Sequence, residues 1–297
     1  MTDATSHPHA AHQCNGHLVI VGGSEDREHD MAVLKRFVEL SGGPDALIVV
    51  ITAASRIPAD MWKIYDGAFA ELGVVRREHL HIDSREQANS AAAATLLNAA
   101  GGIFMTGGDQ KRLLALIGAT KIDIALHDAY KLRGACVGGT SAGASAMSGH
   151  MLADGKAGLH PAKDTVNLGA GLGLVQHVVI DQHFSERQRL ARLLTVVAQN
   201  PYLQGVGIDE NTALVVTRGR GIDVIGEGAV TVIDGRSILT NLADIARRDC
   251  PELIDVRLHL LPAGTCYDAS ADAAPDLTPP APLLDFLNNV TQRTVPQ

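Results

Sequence analysis

The stretch Cys136-Val137-Gly138-Gly139-Thr140-Ser141-Ala142-Gly143-Ala144-Ser145-Ala146 runs from an apolar strand through a glycine pair into small, helix-compatible residues. Within it, Gly139-Thr140-Ser141-Ala142-Gly143 has the form G-x-S-x-G, the strand–turn–helix elbow that exposes a nucleophilic serine. Such an elbow needs small neighbours two residues before and after the serine, because a Cβ there would collide with the tight turn. On this reading Ser141 is a nucleophile. The backbone N–H of Ala142 would face an oxyanion, and the helix N-terminus beyond it favours developing negative charge. The competing reading is a small-residue turn that merely lets a helix and a strand pack closely.

Outward from the elbow, short apolar runs alternate with longer amphipathic segments. The runs are 18–21, 46–51, 103–105, 134–137 and 178–180, and each hands over to a polar or glycine-rich turn. Helical periodicity covers 29–40, 59–72, 85–99, 122–132 and 185–199. This alternation predicts an α/β fold: a doubly wound, mainly parallel sheet flanked by helices, with ligands at the C-terminal strand edge. After Pro201, hairpin-like segments at 213–217, 221–225, 229–233 and 256–261 predict an antiparallel β-rich extension of the same sheet in the C-terminal third.

Composition narrows the partners. The chain has 297 residues, 46% hydrophobic and 20% charged, enough for a sizeable core without disulfide staples. Aromatics at 3% argue against a stacking platform for single-stranded nucleic acid, and a net charge of −8 against a duplex phosphate footprint. Cys14, Cys136, Cys250 and Cys266 are scattered without zinc spacing and read as reduced thiols. The His-rich N-terminus (His7, His9, His12) could hold a metal only loosely. It lacks a secretory apolar core, and no run approaches the roughly 18 apolar residues of a membrane span, so a cytoplasmic protein is expected.

A serine nucleophile needs a base, and the base an orienting acceptor. Of thirteen histidines, His183 follows the run 178–180, which puts it at the same expected sheet edge as Ser141. Asp209 and Glu210 lie together in a turn before a strand; only one can point at a given histidine, and spacing does not decide which. The order Ser, His, acid differs from the Ser, acid, His order of α/β-hydrolases.

Gly138 to Gly143 (G-G-T-S-A-G), Asp181 to Phe184 (D-Q-H-F) and Gly207 to Ala213 (G-I-D-E-N-T-A) together resemble the cyanophycinases among the dipeptidase E-like serine peptidases. The resemblance spans residues 18–267, with Gly22-Gly23-Ser24-Glu25-Asp26 and Thr106-Gly107-Gly108-Asp109-Gln110 adding to it. It implies a fold related to class I glutamine amidotransferases, with serine in place of their cysteine. It also implies Ser141 as nucleophile, His183 as general base and Glu210 as orienting acid. Gly107 and Gly108 would supply an oxyanion N–H alongside Ala142. Gln110, Asp181, Gln182, Arg187, Arg189 and Arg192 would contact substrate. If Ser185 caps a helix, Arg189 and Arg192 share a face and Arg187 lies in its first turn, a trio suited to carboxylates; without the resemblance, a solvated helix face is the plainer reading.

The implied reaction is exopeptidase cleavage of cyanophycin, a poly-aspartate with arginine on each side-chain carboxyl, to β-Asp-Arg dipeptides. No metal or organic cofactor is implied, and the enzyme is expected as a homodimer with no membrane partner. Hydrolysis of Asp-X dipeptides, or a catalytically silent binding module, are the alternatives. A nicotinamide enzyme is disfavoured because residues 22–27 lack G-x-G-x-x-G. The organisation expected is a disordered tail at 1–16, one catalytic domain at 17–268 and a linker or tail at 269–297 in which 283–290 could form a short helix.

Overall fold

The computed structural model describes residues 15–292. The first sixteen residues therefore fall outside the described part except for Asn15 and Gly16, as do Cys14 and the histidine cluster. In chain order the strands are β1 (His17–Val21), β2 (Leu47–Ile51), β3 (Arg76–Leu80), β4 (Gly102–Met105), β5 (Cys136–Thr140), β6 (His150–Gly155), β7 (Val166–Ala170) and β8 (Val178–Gln182). There follow β9 (Gln204–Ile208), β10 (Thr212–Thr217), β11 (Gly221–Gly226), β12 (Ala229–Asp234), β13 (Leu239–Thr240), β14 (Leu253–Ile254), β15 (Arg257–Pro262) and β16 (Cys266–Asp268). The helices are α1 (Ala32–Leu40), α2 (Pro58–Glu71), α3 (Arg85–Ala88), α4 (Ala91–Ala99), α5 (Gln110–Ile117), α6 (Lys121–Lys131), α7 (Ala142–Ser145), α8 (Leu190–Gln199) and α9 (Leu284–Thr291).

Eight strands form the central sheet in the order β16-β11-β10-β1-β5-β4-β2-β3, parallel from β1 to β3 and antiparallel from β1 to β16. Side-chain alternation splits its core in two. Val19, Val21, Ile48, Val50 and Phe104 face α1 and α2, meeting Leu34, Phe37, Tyr65 and Phe69. Leu18, Ile20, Val49, Ile51, Ile103 and Met105 face the other way, toward Leu97, Leu113, Ile117 and Leu126. Burial on both faces is why these strands are continuous aliphatic runs rather than polar–apolar alternations.

The C-terminal third differs from the expectation. β10 and β11 do extend the central sheet, but β12 and β15 join β9 and β8 in a separate four-stranded sheet, β15-β12-β9-β8. Val178, Ile180, Val206, Ile208, Val230 and Val232 of this second sheet pack into the core on the α4–α6 side of the first, while Val179 and Ile233 lie toward α8. The Gly226–Gly228 turn reverses the chain, as its composition predicts, but Glu227 N–H donates to the Asn211 carbonyl and the turn carries the chain across to β9. A turn motif encodes reversal, not the partner of the next strand.

Three helices also change. The segment 29–40 becomes helical only at Ala32, because Asp26 accepts N–H groups of Glu28, His29 and Met31 in a preceding turn. The segment 85–99 divides into α3 and α4, capped by Ser84 and Ser90. Ser185 does not cap α8: residues 184–189 form turns with Gln188 at φ 51°, and the helix starts at Leu190. Within 269–297, α9 falls on the short helix expected at 283–290, and its Phe286, Leu287 and Val290 are buried in the main core. No helix among the described residues is long and apolar enough to cross a membrane.

Candidate active site

Parallel pairing of β1 with β5 sets Val21 beside Thr140, so the turns leaving the two strands lie together at one edge. At the elbow Ser141 has φ 52° and ψ −110°, a backbone state that costs a residue with a Cβ about 1–3 kcal/mol. Neighbouring contacts hold it there. The Ser141 N–H donates to the Val21 carbonyl at 3.1 Å, and its own carbonyl accepts the Ser145 N–H at 3.0 Å. A Cβ on Gly139 would stand 2.7 Å from the Gly143 carbonyl carbon, and one on Gly143 would run into the Met105 carbonyl oxygen. Both glycines of G-x-S-x-G are thus sterically required.

His183 lies just past β8, the edge strand of the second sheet, rather than on the sheet that carries Ser141. The two sheets converge there: the His183 N–H donates to the Gly22 carbonyl at 2.7 Å, and its ring lies so close to Gly23 that any Cβ on that glycine would collide with it. Ser141 Oγ is 3.0 Å from His183 Nε2, and His183 Nδ1 is 2.5 Å from Glu210 Oε1. A carboxylate at Nδ1 requires the ring proton on that nitrogen, which leaves the Nε2 lone pair facing the serine hydroxyl. Burial holds the imidazole below its ordinary value; the hydrogen bond that Nδ1–H donates to Glu210 opposes this and the positive charge of Arg187 adds to it.

The two adjacent acids separate in the turn between β9 and β10. Glu210 reaches His183, whereas Asp209 Oδ1 accepts the Ser185 N–H at 3.1 Å and Oδ2 the Ala229 N–H at 3.0 Å, fastening the second sheet to the histidine turn. Gly107 is close to the elbow: a Cβ there would be 3.4 Å from Ser141 Cβ. Gly108 has φ 146°, and a side chain at that position would strike the Ala54 carbonyl. Among the described residues the backbone N–H groups of Gly107, Gly108 and Ala142 have no acceptor.

The expected substrate contacts are only partly open. Asp181 is 0% exposed and Arg192 7% exposed, and they pair internally, with Arg192 Nε donating to Asp181 Oδ2 at 2.7 Å and its terminal nitrogen to Oδ1. Arg192 also donates to the Gly155 carbonyl at 2.7 Å. Parting a buried pair of this kind by loss of one member costs about 3–5 kcal/mol. Asp181 and Arg192 thus tie β8 to α8. Arg189 is intermediate: it donates to Asp181 and to both the backbone and side-chain oxygens of Gln182, and burial pulls its guanidinium down to about 10, still protonated at neutral pH. Gln110 donates its amide to the Leu152 carbonyl at 3.1 Å. Arg187 is exposed, and beside its turn a cavity of about 220 Å³ is lined by Phe184, Gln188, Arg189, Leu258 and Leu260.

Sequence reasoning missed Gly23, Thr140, Tyr65 and Glu25 as parts of this site. The turn Gly22 to Asp26 is conspicuous in the sequence, yet its place at the elbow depends on β1 lying next to β5, which spacing does not disclose.

Comparison with known proteins agrees with this architecture. Residues 18–225 match the model of peptidase family S51. The chain is 38% identical over 252 residues to a cyanophycinase of Geminocystis herdmanii, covering 84% of this chain and 93% of that one. It is 37% identical over 265 residues to a cyanophycinase of Synechococcus elongatus, covering 89% and 82%. A crystal structure of a peptidase from an acI-B1 Actinobacterium shares the fold with TM-score 0.59 at 23% identity, over 74% of this chain and 91% of that one.

Proposed function

The chain belongs to peptidase family S51 and is a serine-type peptidase, and from that premise we propose that it cleaves cyanophycin to β-Asp-Arg dipeptides through Ser141, His183 and Glu210. The observation that carries the assignment of residues is the unbroken chain of contacts from Ser141 Oγ through His183 to Glu210, at 3.0 and 2.5 Å. The substrate is taken from the two cyanophycinase relatives, which align over more than four-fifths of each chain.

In this reading Ser141 Oγ attacks the α-carbonyl of a backbone amide while His183 Nε2 takes its proton. The tetrahedral oxyanion is met by the N–H of Ala142 and of Gly107 or Gly108, each donor contributing on the order of 3 kcal/mol. His183, held by Glu210, returns the proton to the leaving amine. The acyl-enzyme is then hydrolysed by water activated at the same ring. Arg187, exposed beside the histidine, is the guanidinium best placed for a substrate carboxylate. The functional unit is proposed to run from 17 through α9, to act in the cytoplasm and to assemble as a homodimer.

Mass analysis of products tests the substrate. Incubation with cyanophycin should release β-Asp-Arg as the main product. Turnover of Asp-X dipeptides with no release from the polymer would instead support the small-substrate alternative.

The pH profile has a definite sign. His183 must be neutral to accept a proton, and its pKa is lowered from 6.5, chiefly by burial. The acidic limb of kcat/KM should therefore fall below pH 6.5. Arg187→Ala removes a charge that disfavours imidazolium, so the limb should move to higher pH; an unmoved limb would separate Arg187 from the ring.

A further inference from the structure

One buried acid has no part in the steps above. Glu25 is 2% exposed, and both its carboxylate oxygens accept hydroxyls: Thr140 on one at 2.5 Å, Tyr65 on the other. Thr140 ends β5 directly before Ser141, and Tyr65 lies buried on α2 between Phe69 and Phe104. Burial, reinforced by Glu25, raises Tyr65 far above the ordinary phenol range, so its hydroxyl remains a donor.

The turn that carries Glu25 reaches all three members of the site. Gly22 accepts the His183 N–H, Gly23 backs the imidazole, and the Gly23 carbonyl accepts the N–H of Asn211, the residue after Glu210, at 2.9 Å. The Asn211 side chain returns the contact by accepting the Asp26 N–H at 2.8 Å. Beyond its backbone pairing, the strand offers few side chains to grip at the elbow. Residues 138 and 139 are glycines, so the Thr140 hydroxyl is the nearest side-chain handle on the strained serine backbone.

We propose that Glu25 is a positioning residue. Anchored by Tyr65, it pins the Thr140 hydroxyl and so holds Ser141 Oγ within reach of His183 Nε2. The proposal rests on the reading of Ser141 as nucleophile. A carboxylate suits this place because two hydroxyl donors need two acceptors. Glutamine offers one oxygen and an NH₂ group that cannot accept, so one hydroxyl would have to turn away.

The test uses the full chain and the variants Glu25→Gln, Thr140→Val, Thr140→Ser and Glu25→Gln/Thr140→Val, with Ser141→Ala as reference. Readouts are kcat and KM on cyanophycin, the rate of covalent labelling by a fluorophosphonate probe, and Tm. Displacement of a reacting atom by about 1 Å costs on the order of 10²-fold. Glu25→Gln and Thr140→Val should therefore lower kcat per labelled site by roughly 10- to 100-fold, with KM little changed and labelling slowed in parallel. Thr140→Ser, which keeps the hydroxyl, should retain most of the rate. The double variant should be no slower than its slower parent, because both changes break one clamp.

A merely structural role would lower Tm while leaving the rate per labelled site untouched, and that result overturns the proposal. So do losses that multiply in the double variant. If Glu25→Gln fails to fold, the contrast between Thr140→Val and Thr140→Ser carries the same test. Activity and labelling that survive in Ser141→Ala would remove the nucleophile assignment itself, whereas an inactive Ser141→Ala beside a fully active Glu25→Gln would sink the positioning role alone.

Discussion

Ser141→Ala is expected to lower kcat on cyanophycin by roughly 10⁶-fold and to abolish fluorophosphonate labelling, with Tm close to that of the parent. The substitution removes the one hydroxyl oxygen at 3.0 Å from His183 Nε2. Neighbouring hydroxyls are already engaged: Thr140 donates to Glu25, and the buried Ser145 to the Ile180 carbonyl at 3.3 Å. Stability should change little, because the backbone bonds of Ser141 to Val21 and Ser145 persist and alanine keeps the same Cβ in the same left-handed turn. A single lost hydroxyl contact is worth about 1 kcal/mol. Turnover within tenfold of the parent would exclude Ser141 as nucleophile.

Glu210→Gln is expected to cost about 10⁴-fold in kcat, the scale seen when a triad acid becomes an amide and the imidazole takes the wrong tautomer. An amide can present its NH₂ group to Nδ1, which then keeps its lone pair and moves the proton to Nε2, where it blocks proton transfer from Ser141. Asp209 cannot take over, since its two oxygens hold the N–H groups of Ser185 and Ala229. The residual acidic limb should move to lower pH, because the hydrogen bond that His183 donates to Glu210 is the main influence opposing the downward effect of burial on the ring. Steady-state kinetics across pH checks both points. An unimpaired kcat would show that another group orients the ring.

Much of the fold is legible in local pattern. Strands such as Leu47–Ile51 are aliphatic at every position because they are buried on both faces, and the structure places them in the parallel half of the central sheet. The elbow is legible for a steric reason: Gly139 and Gly143 contact backbone at distances that exclude a side chain. The second sheet is not legible in this way. β12 and β15 carry hairpin-like turns, but whether they join β11 or β9 depends on how the Asp209–Asn211 connection crosses between layers.

The substrate-facing residues show the same division. A row of arginines after Asp-Gln-His-Phe is compatible with an open carboxylate site, and with Ser185 as a helix cap it would be one. In the structure Gln188 is left-handed, the helix begins at Leu190, and Arg192 turns inward onto Asp181. The cost of burying either charge alone decides this pairing, and it leaves Arg187 as the exposed member.

By itself the sequence determined the α/β pattern and the G-x-S-x-G elbow at Ser141, because these follow from backbone sterics and side-chain periodicity acting over a few residues. Only the tertiary structure brings Glu210 onto His183, turns Arg192 onto Asp181, and sets Glu25 against Thr140 beside the elbow. Those relations bridge separations of 27, 11 and 115 residues. They are settled by strand order and by the meeting of two sheets, where buried charges and hydroxyls must find partners within a few ångströms.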